Sequence, residues 1–228
     1  VVYRLTGEFS SDYSDASGTL MLDVANKRWS EEMCAVCGVQ PAWLPTLHES
    51  WEIVGRVRPE FGLPNAVVCA GAGDNAAAAI GTGTVRDGQC NISLGTSGTV
   101  FIPCGAPDGE SGSGLHFFAH ANGRWHRMGC ILSAASANRW WIEDILRSGD
   151  YEGETAGAQR FLSENSVFFL PYLSGERSPI NDVRARGCFL GLSAQTTRAQ
   201  MSLAVLEGVS FALKSCLEIA RAEGAQCT

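Results

Sequence analysis

Apolar residues along this chain recur with two periods, and the switches between them mark its elements. Val67-Val68-Cys69-Ala70 is a short apolar run that ends in the tight turn Gly71-Ala72-Gly73-Asp74-Asn75. A small-residue helix follows, Ala76 to Ile80. A second apolar strand, Cys90 to Leu94, breaks into Gly95-Thr96-Ser97-Gly98. Thr99 to Cys104 and Leu115 to Arg127 predict further strands, the latter folded back at Asn122-Gly123, a hairpin signal. Ser133 to Arg147 predicts a helix with Leu132, Ser136, Trp140 and Ile145 among its inward positions. Tyr151 to Gly157 is polar and reads as an exposed loop, and Val167 to Leu170 as a buried strand ended by Pro171. The clearest helix starts at Thr197, a suitable N-cap. Leu203, Leu206, Ser210, Leu213, Leu217 and Ala220 recur at helical spacing, with Val205, Val209, Ala212 and Cys216 on a neighbouring stripe and Gly224 as C-cap. A helix this apolar packs against a sheet.

Before Val67 the pattern is weaker. Asp12 to Thr19 reads as a polar loop leading into Leu20–Val24, and Ser30 as the cap of a helix with Glu31 and Glu32 in its first turn. Pro41, Pro45, Pro59 and Pro64 predict extended connections, and a domain boundary is expected near Asn65. From Val67 onward, strands alternating with helices give the α/β class.

At 228 residues and 45% hydrophobic content, the chain can hold one large domain or parts of two. With 17 basic and 24 acidic residues the net charge is −7, which argues against a nucleic-acid surface. No apolar run is long enough for a transmembrane helix, and the opening Val1-Val2-Tyr3-Arg4-Leu5 has neither an initiator Met nor a signal-peptide layout. The expectation is a chain that begins inside a longer cytosolic protein. Nine dispersed cysteines fit reduced thiols. Cys34 and Cys37 have metal-pair spacing, but with no second pair they read as small core residues on a helix ending at Gly38.

Chemistry concentrates in the two strand-to-turn transitions. Glycine permits sharp turns and close ligand approach, and successive backbone N–H groups form a concavity for phosphate oxygens. An acid beside such a cradle suggests phosphoryl transfer. Asp74 reads equally as that acid and as the N-cap of the helix after it. The G-x-G-x-x-A match from Gly71 to Ala76 ranks behind, because Asp74 would repel a pyrophosphate at the helix N-terminus. Walker-type spacing is absent from the sequence. His116, His120 and His126 on a hairpin need not converge, and no acid lies among them, so they read as structural. Glu176, Arg177, Asn181 and Asp182 form either a solvated loop or the rim of a cleft.

Jointly these blocks resemble the carbohydrate kinases of the FGGY family. The resemblance rests on Asp12–Thr19, the Gly71–Asn75 turn, Ile92–Gly98, Leu132–Ser136 and Phe169–Pro179. It rests also on a signature running from Gly187 through Phe189, Gly191 and Leu192 to Gln200, Met201, Ala204 and Glu207. It implies an actin-like ATPase (ribonuclease-H-like) fold, with residues 1–65 ending the first domain and 66–228 forming most of the second. By analogy Asp74 is the base that takes the proton from the sugar hydroxyl, and Asn75 holds the sugar. Gly95, Thr96, Ser97 and Gly98 would meet the phosphates of ATP, with Ala134 and Asn138 on the nucleotide side. Asn75, where glycerol-phosphorylating members carry Gln, favours a pentulose, first D-xylulose, giving D-xylulose 5-phosphate. The alternatives are ribulose, gluconate or glycerol as acceptor, or a non-catalytic actin-like module. The resemblance implies ATP and Mg²⁺ as cofactors, a cytoplasmic location, no nucleic-acid or membrane partner, and room for a homodimer. The family's amino-terminal phosphate turn and first signature, and its glycine-rich adenosine-binding segment, lie outside this sequence. The expectation is that these 228 residues alone are inactive.

Overall fold

The computed structural model describes residues 1–106 and 114–227. The first region is built from α1 (Val2–Thr6), β1 (Ser10–Asp12), α2 (Tyr13–Ala16), β2 (Leu22–Asp23), β3 (Arg28–Trp29), α3 (Glu31–Val36), β4 (Thr46–His48), β5 (Ile53–Arg56) and β6 (Val67–Cys69). β1 pairs parallel with β4, while β2–β3 and β5–β6 are antiparallel pairs, the latter spanning the connection through Asn65. The polar stretch expected as a loop is helical. Asp12 caps α2, accepting from the Ser14 and Asp15 N–H groups, and a 3₁₀ turn continues from Ser17 to Thr19. Its polar residues mislead because Asp12, Ser14 and Ser17 are buried, bonded to one another or to nearby backbone. Ser30 caps α3 as expected, through the Met33 N–H. Cys34 is buried, but Cys37 is exposed, so the core reading holds for Cys34 alone.

The second region begins with α4 (Asp74–Gly81). An antiparallel sheet follows, with β7 (Asn91–Leu94), β8 (Gly98–Cys104), β9 (His116–Ala119) and β10 (Trp125–Ile131) in the order β7-β8-β10-β9. α5 (Ala135–Arg139) runs into a π-helical turn from Trp140 to Ile145, then come α6 (Tyr151–Gln159), β11 (Phe168–Leu170), β12 (Cys188–Leu190) and α7 (Arg198–Ala222). Side chains alternate across a strand. The β8–β10 register therefore sets Val100, Ile102 and Ile131 on one face, and Thr99, Phe101, His126 and Met128 on the other. The first face packs on α7, in a core that includes Trp141, Ile142, Val167, Phe169, Val205 and Val209.

Three further elements differ from expectation. The widened π turn, closed by the Leu146 N–H on the Trp141 carbonyl at 2.9 Å, carries Trp141 and Ile142 inward and leaves Ile145 49% exposed. The loop expected at Tyr151 is α6, capped by Asp150 and packed on α7. The strand at Val167 buries only alternate residues: Val167 and Phe169 face in, whereas Phe168 is 50% exposed. α7 conforms, with a complete capping box between Thr197 and Gln200 and Gly224 at φ +87° just beyond its end.

Candidate active site

Asp74 occupies the first turn of α4, with Gly73 rather than Asp74 as N-cap. Its Oδ1 accepts from the Asn75 backbone N–H at 2.7 Å and from Asn75 Nδ2 at 2.9 Å. Asn75 in turn faces β8, where Thr99 Oγ1 donates to Asn75 Oδ1 at 3.5 Å. The turn before α4 is fixed from the first region: the Gly73 N–H donates to Ser14 Oγ at 3.0 Å. Ser14 is held by Asp12, whose Oδ2 also accepts from Ser50 Oγ at 3.1 Å. A Cβ on Gly73 would stand 3.4 Å from the Asp15 backbone, so the two regions meet backbone to backbone there. Asp74 is exposed.

Asp74 and Asn75 line a cavity of about 170 Å³ together with Ser14, Asp15, Phe118 and His126. His126 was legible only as one of three non-convergent histidines. His120 and His126 do approach, ring centroids 5.8 Å apart, with Phe101 stacked on His126 at 3.9 Å. Among the described residues no group of three potential ligands could hold a metal ion. Burial, then the neighbouring His120, lowers the His126 pKa to about 3. Burial also lowers those of His120 and His116, the latter helped by the Arg177 charge. A side chain in this strand two places before Met128, on the face opposite the α7 core, is the signal that could have placed His126 at the site.

The Gly95–Ser97 loop joins β7 to β8 as a hairpin and docks on the start of α5. The Thr96 carbonyl accepts from the Ala134 N–H at 3.0 Å and Ser136 Oγ at 2.7 Å, and the Gly95 carbonyl from the Ala135 N–H at 2.9 Å. Gly95, Thr96 and Ser97 are exposed, whereas Gly98 is buried, a Cβ there falling 3.0 Å from Ile131. Ala134 is 1% exposed, and with Asn138 and Leu206 it lines a larger, more apolar cavity of about 530 Å³. Ile92 and Leu94, also in that lining, pair with Val100 and Gly98, so this cavity opens on the α7 face. The Asp74 cavity lies on the other face, and the hairpin tip stands at the sheet edge between them.

Glu176, read as loop or rim, is 1% exposed. Its Oε1 accepts from the Leu132 and Arg177 N–H groups, both at 2.8 Å, tying its loop to the turn that leads into α5. Burial raises its carboxyl pKa.

Comparison with known proteins bears on the whole chain. Residues 1–81 match the N-terminal domain of the FGGY family of carbohydrate kinases, and residues 90–228 its C-terminal domain. A xylulose kinase from Klebsiella pneumoniae is 41% identical over 232 residues, covering 96% of this chain and 46% of its own length. The chain spans about half the length of the curated relatives it matches. Among solved structures, a xyloylose kinase from Brucella ovis superposes with a TM-score of 0.89 at 43% identity, covering 99% of this chain and 46% of that one. A gluconate kinase from Lactobacillus acidophilus superposes with a TM-score of 0.88 at 25% identity, covering 96% and 46%. The expected actin-like ATPase fold is the fold observed.

Proposed function

This chain belongs to the FGGY family of carbohydrate kinases, and from that premise we propose that it carries the catalytic base and phosphate loop of an ATP-dependent pentulose kinase, with D-xylulose as first acceptor. The observation that carries the reading is Asp74 on the lining of the cavity it shares with Asn75, its Oδ1 engaged by Asn75. In the proposed reaction a sugar hydroxyl oxygen attacks the γ-phosphorus of ATP. The new O–P bond forms as the bond to the β–γ bridging oxygen breaks, and ADP leaves. The hydroxyl proton passes to Asp74 Oδ2, since Oδ1 is occupied, and the products are the sugar phosphate and ADP. Such transfers ask the protein for alignment and charge stabilisation more than covalent chemistry.

In this reading the exposed Thr96 and Ser97 offer N–H and hydroxyl groups to the phosphates, while Gly95, its N–H held by the Ser97 carbonyl at 3.0 Å, shapes the turn. Ala134 and Asn138 border the nucleotide side through the larger cavity. Bound Mg²⁺ would neutralise phosphate charge. Xylulose is favoured over gluconate because the relatives at 41 and 43% identity are described as xylulose and xyloylose kinases, against 25% for the gluconate kinase.

The test is D-xylulose-dependent ADP release by the full-length protein carrying this chain, beside its Asp74→Asn variant. The expected outcome is a fall in kcat of roughly three powers of ten or more with D-xylulose binding retained. A variant as fast as the wild type removes Asp74 as base.

A further inference from the structure

The turn that carries Asp74 is held from outside its own helix. Gly73, the N-cap of α4, has no side chain to bond the first-turn N–H groups, and Asp74 Oδ1 turns back on the Asn75 N–H. Three backbone donors on the approach to α4 are taken by the first region instead. The Ala70 N–H donates to the Glu52 carbonyl at 3.0 Å, the Gly71 N–H to the Ser50 carbonyl at 3.1 Å, and the Gly73 N–H to Ser14 Oγ at 3.0 Å. The last of these falls one residue before Asp74, and a side chain makes it. Ser14 and Ser50 both lead to one carboxylate. Asp12, 3% exposed, accepts at Oδ2 from the Ser14 N–H at 2.8 Å, from Ser14 Oγ, and from Ser50 Oγ at 3.1 Å. A serine hydroxyl has one proton to give. With that proton committed to Asp12, the Ser14 oxygen is left as an acceptor, and it faces the Gly73 N–H.

We infer that Ser14 is a positioning residue for Asp74: its hydroxyl, oriented by Asp12, fixes the backbone one residue before the base and so sets where the free Oδ2 points. This rests on the kinase reading above. Asp74 is exposed, so its aim follows from its backbone rather than from packing around its side chain. That backbone lies directly on α2, where a Cβ on Gly73 would stand 3.4 Å from Asp15. Proton transfer from a hydroxyl in an aligned complex depends on such placement, and a displacement of about 1 Å can cost about a hundredfold in rate. Ser14 also borders the Asp74 cavity, so a direct bond to the sugar is the rival role that the experiment has to exclude.

The experiment is a double-mutant cycle in the full-length protein, reading kcat and the KM values for D-xylulose and ATP. Ser14→Ala is made in the wild type and again in Asp74→Asn. In the wild type it should lower kcat about tenfold or more and leave both KM values within about twofold. In Asp74→Asn it should change kcat by less than about twofold, because no base is left to misplace. An unchanged kcat in folded Ser14→Ala overturns the inference. An equal loss in both backgrounds also overturns it, being what a general structural role would give. So does a raised D-xylulose KM at full kcat, the mark of a direct sugar contact. Should Ser14→Ala not fold, Ser14→Cys takes its place in the same cycle, since a thiol keeps the shape and is only a weak acceptor. A wild-type protein with no D-xylulose-dependent turnover, or an Asp74→Asn variant as fast as the wild type, defeats the kinase reading itself, and the inference with it.

Discussion

On the face of the sheet toward α7, Val100, Ile102 and Ile131 are 1%, 1% and 0% exposed and share a cluster with Val205, Val209 and Leu213. Buried polar atoms are mostly matched there: Trp141 Nε1 donates to Ser202 Oγ at 2.9 Å, whereas Glu176 Oε2, close enough to act on Cys216 of α7, has no partner. The opposite face is buried nearly as well at Phe101 and His126, yet it accumulates orphans. Among the described residues, the buried side-chain atoms with no partner include His116 Nε2, His120 Nδ1 and both nitrogens of His126, all on the β9–β10 hairpin. Equal burial thus serves two ends. One face gains stability from apolar contact, and the other bears buried polar groups left without partners, at a cost to stability.

The comparison breaks most sharply at Gly208, where α7 presses on β11. A Cβ there would lie 2.2 Å from the Phe169 carbonyl oxygen. Helix propensity alone favours alanine by about 1 kcal/mol. The clash is with backbone and cannot be relieved by a rotamer, so α7 must move off the sheet. Gly208→Ala is expected to cost about 3 kcal/mol, read as a lower urea midpoint. Asp74→Asn, exposed and on the other side, should leave that midpoint where it is. An unshifted midpoint in Gly208→Ala would mean that the α7 face is more plastic than the site face.

A pH titration separates the faces next. The histidines of the hairpin have folded-state pKa values below the ordinary 6.5, that of His126 reaching about 3. Below pH about 6.5 the unfolded chain takes up protons that the folded one refuses, so stability is full above that pH and falls as pH drops toward 3. Glu176 opposes this, because its raised folded pKa favours the folded state as pH falls toward its ordinary range. Three groups against one give a net loss on acidification. Melting temperature should therefore decline between pH 6.5 and 4, less steeply in His126→Phe, which has one histidine fewer to protonate. An identical slope in the variant would show that His126 is not buried neutral.

How much of this was legible followed from whether a local signal agreed with its tertiary surroundings. The hairpin at Asn122-Gly123 and the turn before Asp74 carried strong local chemistry and were read. α6 was not, because Gly153 and Gly157 look like breakers. Gly153 is in fact what lets Asp150 cap the helix, since its N–H donates to Asp150 Oδ1 at 2.9 Å and a Cβ would stand 2.2 Å from Oδ2. In the helix after Ser133 the inward reading holds at Trp140, which packs against the core, and fails at Ile145, because a π turn shifts the register and no spacing rule announces one. At the site, Asp74 and Asn75 stood out as a motif. Ser14, Asp15 and His126 lie 52 to 60 positions from Asp74 along the chain and join it only through the packing of α2 and β10 around α4.

The smallest test lies at the start of α7, where the core face depends on local chemistry. Thr197 accepts from the Gln200 N–H at 3.3 Å, and Gln200 Oε1 accepts from the Thr197 N–H at 2.9 Å. Both residues lie on the surface or near it, so little apolar area is at stake. Replacing the hydroxyl leaves one first-turn N–H to water and frees the Gln200 side chain, a loss of about 1 kcal/mol. Thr197→Ala should thus lower the urea midpoint by about a third of the Gly208→Ala effect, while Thr197→Ser should retain nearly all of it. Because the cap lies on the α7 side, the D-xylulose KM should not move. A cap variant that raised that KM would show that α7 reaches the Asp74 cavity through the sheet, and the two faces would no longer be independent.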